Sequence, residues 1–178
     1  MAYETVVALA ADAHGLIRSE DATQAGLSAV ALHRLVRDGR LENVAHGLYR
    51  VPAVPADRLT AYMEAVLWAR GVGVISHASA LEMQELCDIL PRKIHVTVPR
   101  EYNPRKAGYE RYRVHRLALI PAMITTYEGV PVMTAATAIS QALADGEDRH
   151  QLRLAVRNAT QRGLLLRGEA ARLWPRLR

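Results

Sequence analysis

The chain has 178 residues, half of them hydrophobic, with a formal net charge of +5 and a sequence pI near 9.7. This length holds one or two small domains with a real core, and the composition excludes a disordered tail protein. No apolar run approaches the roughly 18 to 20 residues that span a bilayer, and an acidic start replaces the basic region of a signal peptide. We therefore expect a globular, cytoplasmic protein whose basic character favours a polyanionic partner.

The first fifty residues carry the pattern of a winged helix-turn-helix. Residues 3–13 have helical apolar spacing, and a short second helix follows with Ser19 as its predicted N-cap. A third helix over 28–38 begins at a capping serine and ends before a glycine. Its packed face is predicted to hold Val30, Leu32, Leu35 and Val36. Two short alternating runs, 40–44 and 47–51, predict the hairpin of the wing.

Prolines at 52 and 55 predict a boundary between a winged helix-turn-helix domain, 1–52, and a mixed α/β domain, 56–178. The predicted fold class is α+β, with a small sheet and several helices in the second domain. Ser76 is the predicted N-cap of one of these helices. Gly129 and Pro131 are expected to confine one strand to an edge or a bulge. The other helices are predicted over 57–70, 134–144, 148–161 and 168–174, and the strands over 93–98, 109–119 and 127–134, the first two with one wet, basic face.

The positive charge is unevenly distributed. Residues 1–51 hold five arginines and six acids, whereas 91–116 hold eight basic residues and two acids. Residues 149–178 hold eight arginines and one acid. Any DNA contact by the first domain must therefore depend on where a few arginines are placed rather than on bulk charge.

The third helix is the predicted recognition helix. Arg34 and Arg37 are its best candidates for base or phosphate contacts, because guanidinium binds guanine bidentately in the major groove. Its N-terminus can also donate to a phosphate. The predicted DNA-binding residues are Ser28, Ala29, His33, Arg34 and Arg37, with Arg40, Asn43 and His46 added if the hairpin projects outward.

A second basic patch is predicted on a strand and a late helix. Three of its arginines recur at intervals of four residues and so form one stripe along the helix. Unpaired like charges at this spacing are destabilising, so the stripe is expected to attract an anionic partner. The residues of the patch are Arg111, Arg113, Arg149, Arg153 and Arg157.

Enzymatic and metal chemistry find little support. Ser76 and His77 are followed closely by a second serine, Ser79, but no acid is spaced to orient the histidine, and no glycine elbow surrounds either serine. A capping serine followed by a packed histidine is the preferred interpretation. The seven histidines show no short metal-ligand spacing, and Cys87 is the only cysteine. No glycine-rich phosphate loop or carboxylate cluster is present. We expect no catalytic residue, no metal and no cofactor.

Several segments together resemble one family. They are GLS at 26–28, LVRDGRL at 35–41, HGLYR at 46–50 and ISHASAL at 75–81, with IHVTVP at 94–99 and GVPVMT at 129–134. In order and spacing this series is similar to the AbiEi antitoxins of type IV toxin-antitoxin systems, and it covers most of the chain.

The resemblance implies a bacterial antitoxin. Its first domain would bind repeats in the promoter of its own operon and repress it, and its second domain would counter a nucleotidyltransferase-like toxin. Inverted half-sites would place two copies on the DNA. The nearly neutral first domain departs from a plainly basic groove-binding module. The alternative is a stand-alone transcription factor whose C-terminal domain dimerises or senses a ligand, and a nucleic-acid-processing enzyme ranks last.

Overall fold

The computed structural model describes residues 2–103 and 108–178, so Arg105 and Lys106, two of the basic residues counted above, lie outside it. Short 3-10 helices cover Tyr109–Arg111, Pro121–Met123 and Trp174–Leu177. The α-helices are α1 (Ala2–Ala11), α2 (Ser19–Gln24), α3 (Ala29–Arg37), α4 (Thr60–Trp68), α5 (His77–Met83), α6 (Ala135–Ala144), α7 (Arg149–Gln161) and α8 (Arg167–Leu173). The strands are β1 (Leu16–Arg18), β2 (Glu42–Ala45), β3 (Leu48–Arg50), β4 (Val74–Ile75), β5 (Ile94–Pro99), β6 (Tyr112–Leu117), β7 (Ile124–Tyr127) and β8 (Val130–Met133).

The N-terminal part is a helix-turn-helix closed by a small antiparallel sheet. Helices α1, α2 and α3 pack around one hydrophobic cluster that contains Val6, Ile17, Leu32 and Leu35. Strands β2 and β3 form the predicted hairpin, and β1 joins them to give the order β1-β3-β2. The predicted winged helix-turn-helix and the α+β fold class are therefore confirmed.

The start of α2 differs from the prediction. Ser19 is the first residue of the helix, and Arg18 occupies the N-cap position without a side-chain capping bond. The reason is that Leu16–Arg18 form the third strand of the wing sheet, in register with Leu48–Arg50. Three residues are too few to show an alternating pattern, so the sequence did not reveal this strand.

The C-terminal part is a five-stranded mixed sheet with the order β6-β5-β4-β8-β7, packed against helices. Strand β4 pairs antiparallel with β5 and parallel with β8, while β5 and β6 run parallel. Helices α4 and α5 contact the central strands, and α6 packs against α5 and α7. None of the helices in the described part of the chain is long and apolar enough to cross a membrane.

Two predictions about this sheet are wrong. Pro131 lies in β8, which is an interior strand rather than an edge. A proline is tolerated there because β4 is two residues long and pairs with β8 only between Ile75 and Val132. The alternating strand β5 has no wet face, because His95 and Thr97 are as buried as their apolar neighbours. Helix α5 and the neighbouring strands cover the side that the sequence assigns to solvent.

The N-terminal and C-terminal parts share hydrophobic contacts. Leu16 of β1 and Leu48 of β3 are 1% and 2% exposed, and both belong to the large hydrophobic cluster of the C-terminal part. The wing sheet is thus packed between two clusters, one under the helix-turn-helix and one under the five-stranded sheet. The boundary at residues 52–56 remains a prediction.

Candidate nucleic-acid interface

Helix α3 is fixed by its N-cap and by two buried leucines. The Ser28 hydroxyl oxygen accepts a hydrogen bond from the Ala31 amide at 3.2 Å, as the sequence predicts. Leu32 and Leu35 are buried against α1 and α2. Gly39, with a φ of +69°, ends the helix and turns the chain into the wing. The opposite face of α3 is therefore presented to solvent.

That exposed face, which we call the α3 face, holds the predicted recognition residues. The side chains of Arg34 and Arg37 are 75% and 78% exposed. Val30, predicted on the packed side, is also 78% exposed, so that assignment is wrong. It lies two residues before Leu32, which is about 200° around the helix. The α3 face consists of Ala29, Val30, His33, Arg34 and Arg37.

An acidic residue lies beside both arginines. Asp38 carboxylate oxygens are 3.7 Å from Arg34 Nε and 3.7 Å from Arg37 Nε. All three side chains are exposed, so these ion pairs contribute little to stability and are screened by salt. The arginines are therefore free to exchange Asp38 for a polyanion, and Asp38 lowers the positive charge of the α3 face.

The predicted wing residues differ in their surroundings. The Arg40 guanidinium lies 4.9 Å from the centre of the Tyr3 ring, a cation–π contact that joins the wing to α1. Asn43 is exposed on β2. His46 stands at the tip and lines a small cleft with Leu67 and Arg70 of the C-terminal part.

The tip of the wing is held against α2. The Ser19 amide donates to the Gly47 carbonyl at 2.9 Å, and Gly47 has a φ of +70°. A Cβ atom at Gly47 would lie 3.0 Å from the Ser19 hydroxyl oxygen, so the turn and α2 are in close contact. His46 is predicted to contact DNA only if the hairpin projects outward. The tip of the hairpin instead faces the C-terminal part.

Arg18, which the sequence does not single out, connects the two parts. Its guanidinium donates to Asp21 at 2.6 Å and to the Arg70 carbonyl at 2.8 Å. Hydrogen bonding to Asp21 raises the pKa of Arg18 further above its ordinary value. The side chain therefore fixes the start of α2 relative to the end of α4.

His14 makes a second connection. Its Nδ1 lies 2.7 Å from an Asp57 carboxylate oxygen and its Nε2 lies 2.9 Å from the Glu128 carbonyl. Desolvation opposes ionisation of Asp57, but the bonds from His14 and from the Leu59 amide prevail and lower its pKa. The orientation of the helix-turn-helix is thus set by polar contacts as well as by the shared leucines.

The second basic patch is largely paired. Arg111 lies 2.5 Å from Glu64, and Arg113 lies 3.3 Å from Asp145. Arg153 donates to the Leu177 carbonyl at 2.9 Å, and Arg149 donates to the main-chain oxygen of Arg178. Arg157 is exposed beside a groove between α7 and α8 that Ala170 and Trp174 also line. The prediction of an unpaired arginine stripe is therefore wrong.

The serine–histidine segment folds differently from a catalytic pair. His77 is buried, as predicted, but the Ser76 side chain does not cap α5. Its hydroxyl oxygen lies 2.9 Å from His77 Nδ1 and accepts from Thr97 at 2.8 Å.

The histidines are also closer together than their spacing indicates. His77, His95 and His115 bring ligand atoms within 4.8 Å of one another, although no short metal-ligand spacing joins them in the sequence. They lie on α5, β5 and β6, and only the fold brings them together.

A helix-turn-helix followed by a β-hairpin, with an arginine-bearing face on its second helix, defines the class of winged helix-turn-helix DNA-binding proteins. Residues 4–52 match the family model described as transcriptional regulator, AbiEi antitoxin. Over these residues the chain is similar to the AbiEi antitoxin transcriptional regulators, and the predicted resemblance is confirmed for them. The similar segments at 75–81, 94–99 and 129–134 lie outside the match and remain predictions.

The whole chain is similar in structure to the RV2827C protein from Mycobacterium tuberculosis. The TM-score is 0.53 at 16% sequence identity, over 97% of this chain and 73% of that chain. At this identity the similarity shows a shared fold, which includes the C-terminal part as well as the winged helix-turn-helix. None of the curated proteins compared with the chain matches it.

Proposed function

We propose that this protein is a bacterial, cytoplasmic antitoxin of the type IV class, that it binds DNA with the α3 face and represses its own toxin-antitoxin operon. The observation that carries the proposal is the α3 face itself. Arg34 and Arg37 are exposed on one side of a helix whose other side is buried, within a domain that matches AbiEi transcriptional regulators. An exposed helix of this kind enters the major groove in winged helix-turn-helix proteins.

The α3 face offers each kind of contact that a groove-binding helix uses. Arg34 and Arg37 can pair bidentately with guanine, and Val30 can contact a thymine methyl group. The exposed N-terminus of α3, at Ser28 and Ala29, can donate to a phosphate, where the helix dipole also favours negative charge. Arg40 and Asn43 lie next in the chain, on the wing, and we propose that they contact the adjacent backbone.

The proposed partner of the C-terminal part is a nucleotidyltransferase-like toxin. The family description supports an antitoxin, and the chain acts in this proposal by binding rather than by catalysis. Two copies would bind neighbouring repeats of the operator. Growth of cells that express the toxin encoded beside this protein should be restored by the full chain, and no restoration would contradict the antitoxin role.

One feature favours the alternative of a stand-alone, ligand-sensing transcription factor. The groove between α7 and α8 is mainly apolar, lined by Ala170, Ala171 and Trp174 with Arg157 and Arg167 at its rim. A site of this kind suits a small anionic apolar ligand. A gene for a nucleotidyltransferase-like protein beside this one supports the antitoxin, and a DNA affinity that changes with a small molecule supports the sensor.

The test of DNA binding uses the full chain, because Leu16 and Leu48 would lose their packing in an isolated N-terminal part. Fluorescence anisotropy compares a duplex from the region upstream of the gene with a shuffled duplex across a salt series. Arg37→Ala and Arg34→Ala should each weaken binding to the upstream duplex by about 5- to 150-fold if the arginine contacts a base.

The matched control is Arg172→Ala, which removes an exposed arginine from α8 and so changes the net charge by the same amount as the α3 variants. Its affinity should stay within about 2-fold of the unaltered chain, since surface charge away from the contact has a small effect. Equal affinity of both α3 variants and the control for the upstream duplex would contradict the assignment of the α3 face.

A further inference from the structure

Three buried imidazoles meet on one side of the five-stranded sheet. His95 lies in β5 and His115 in β6, where Thr97 and His115 are register partners, so His95 and His115 share a face of the sheet. His77 follows β4 as the first residue of α5. Their ligand nitrogens all lie within 4.8 Å of one another. We call these three residues the histidine cluster.

The spacing of the cluster fits a small cation. His115 Nε2 is 3.4 Å from His95 Nδ1. Four ligands arranged tetrahedrally around zinc at 2.0–2.1 Å lie about 3.4 Å from one another. An Asp145 carboxylate oxygen lies 3.7 Å from the same His95 nitrogen, and its side chain is 19% exposed. The His95 nitrogen is therefore near the tetrahedral separation from one imidazole nitrogen and from one carboxylate oxygen. Among the described residues, the three histidines bring their ligand atoms within 4.8 Å of one another.

His77 is held in position by the hydroxyl group of Ser76. Its Nδ1 is 2.9 Å from the Ser76 hydroxyl, which in turn contacts Thr97 at 2.8 Å, and both hydroxyl residues are fully buried. A metal-ligating histidine characteristically engages its second ring nitrogen in such a bond, which leaves the other nitrogen for the ion. Here that nitrogen is Nε2.

The rings of His77 and His115 are stacked, with centroids 3.6 Å apart and 17° between their planes. Two stacked rings cannot both direct a lone pair at one ion, so binding requires one of them to turn about its side-chain bonds. The ring geometry of these two histidines should therefore change when an ion enters.

The surroundings of the cluster suit a ligand role. His77 and His95 are 8% and 4% exposed, so an ion bound there would be shielded from water. Asp145 supplies the negative charge and is shared with Arg113, at 3.3 Å, on the same edge.

We propose that His77, His95 and His115 bind a transition-metal dication of the zinc type, and that the Asp145 carboxylate, which lies next to His95, moves in as the fourth ligand. Three imidazoles and one carboxylate favour zinc, cobalt or nickel over magnesium or calcium, which prefer all-oxygen sites. The ion would link α5, β5, β6 and the end of α6, and so stabilise the C-terminal part. This inference is independent of DNA binding.

The test uses the full chain after treatment with a chelator. Calorimetric titration with Zn²⁺ should give one ion per chain, and Co²⁺ should give the visible absorption of a tetrahedral complex. His115→Gln should weaken binding at least 10-fold, whereas His150→Gln, which removes an exposed histidine from α7, should leave it unchanged. Zn²⁺ should also raise the melting temperature of the unaltered chain, because it binds only the folded state tightly.

Several results would overturn the proposal. One is the absence of binding tighter than about 100 μM, and another is binding that persists in His115→Gln or that is lost in His150→Gln. If His115→Gln does not fold, Asp145→Asn replaces it. The asparagine variant should bind about 10- to 100-fold more weakly, and an unchanged affinity would exclude Asp145 and the proposed site.

Discussion

Replacing Ser28 separates the two roles assigned to the start of α3, helix capping and contact with DNA. The Ser28 oxygen accepts from the Ala31 amide at 3.2 Å and is exposed. Ser28→Ala removes this bond and should lower the free energy of unfolding by about 1 kcal/mol. Ser28→Asp keeps an acceptor of equal quality and adds a charge that the helix dipole favours, so stability should stay equal or rise by about 0.5 kcal/mol.

The effect on DNA binding should have the opposite order. A carboxylate about 6 Å from a phosphate is repelled by about 0.7 kcal/mol in bulk water and about 2.8 kcal/mol at a protein surface. Ser28→Asp should therefore bind about 3- to 100-fold more weakly, with the penalty shrinking as salt rises. Ser28→Ala loses at most one hydrogen bond to a phosphate, whereas Ser28→Asp loses the same donor and adds the repulsion, so Ser28→Asp should bind DNA more weakly than Ser28→Ala.

Urea unfolding and fluorescence anisotropy on the same preparations measure both quantities. Gln161→Glu is the control for net charge, because it adds one acid at the exposed end of α7. Weaker binding by Ser28→Asp than by Gln161→Glu is the expected result. If the two variants bind DNA equally well, the N-terminus of α3 does not face the phosphates, and the proposed docking of the helix is refuted.

Three further predictions concern charge, acid and the wing turn. Asp38→Asn should tighten DNA binding by about 3-fold, because it frees the two arginines of the α3 face; Asp88→Asn is the control, and equal affinities in anisotropy would contradict the prediction. Acidification from pH 7.5 to 5 should destabilise the metal-free chain, because burial keeps the pKa of His95 at about 4 while the unfolded histidine titrates near 6.5. The unfolded state then binds a proton that the folded state does not, which lowers the free energy of unfolding by up to about 1.4 kcal/mol per pH unit. A urea midpoint that does not change with pH would refute this reasoning. Gly47→Ala should cost about 1 to 3 kcal/mol because of its positive φ and the contact with α2, whereas Gly168→Ala in α8 should be neutral or stabilising in the same assay.

Short-range signals account for the part of the fold that the sequence predicts. The Ser28 cap and Gly39 act on neighbouring amides, so the bounds of α3 can be predicted from local chemistry. Strands β1 and β4 have three and two residues, too few for a pattern, and they are strands because β3 pairs with β1 and because β5 and β8 pair with β4. Val30 was predicted on the packed face because apolar residues lie near it in the sequence. Its exposure follows from its angular position on the helix, which that prediction did not take into account.

The candidate sites show the same division. Arg34 and Arg37 were predictable because one exposed helix face can be read from its own sequence. His77, His95 and His115 are 18 and 20 residues apart. The parallel pairing of β5 with β6 brings His95 and His115 together, and His77 joins them because α5 follows β4, which also pairs with β5. The pairing of Arg113 with Asp145 likewise depends on the position of α6 beside the sheet edge. Long-range pairing of this kind leaves no local trace in the sequence.

The two leucines that the wing sheet contributes to the C-terminal core have a consequence for cooperativity. Leu16 and Leu48 bury their side chains in a cluster that contains Leu59, Trp68 and Leu81. Separation of the two parts would expose these side chains to water, at a cost of about 0.8 kcal/mol for each buried methylene group. The chain should therefore unfold in a single thermal transition rather than in two. Because the joint is rigid, the proposed docking of α3 in the groove would also fix the direction in which the C-terminal part extends from the DNA.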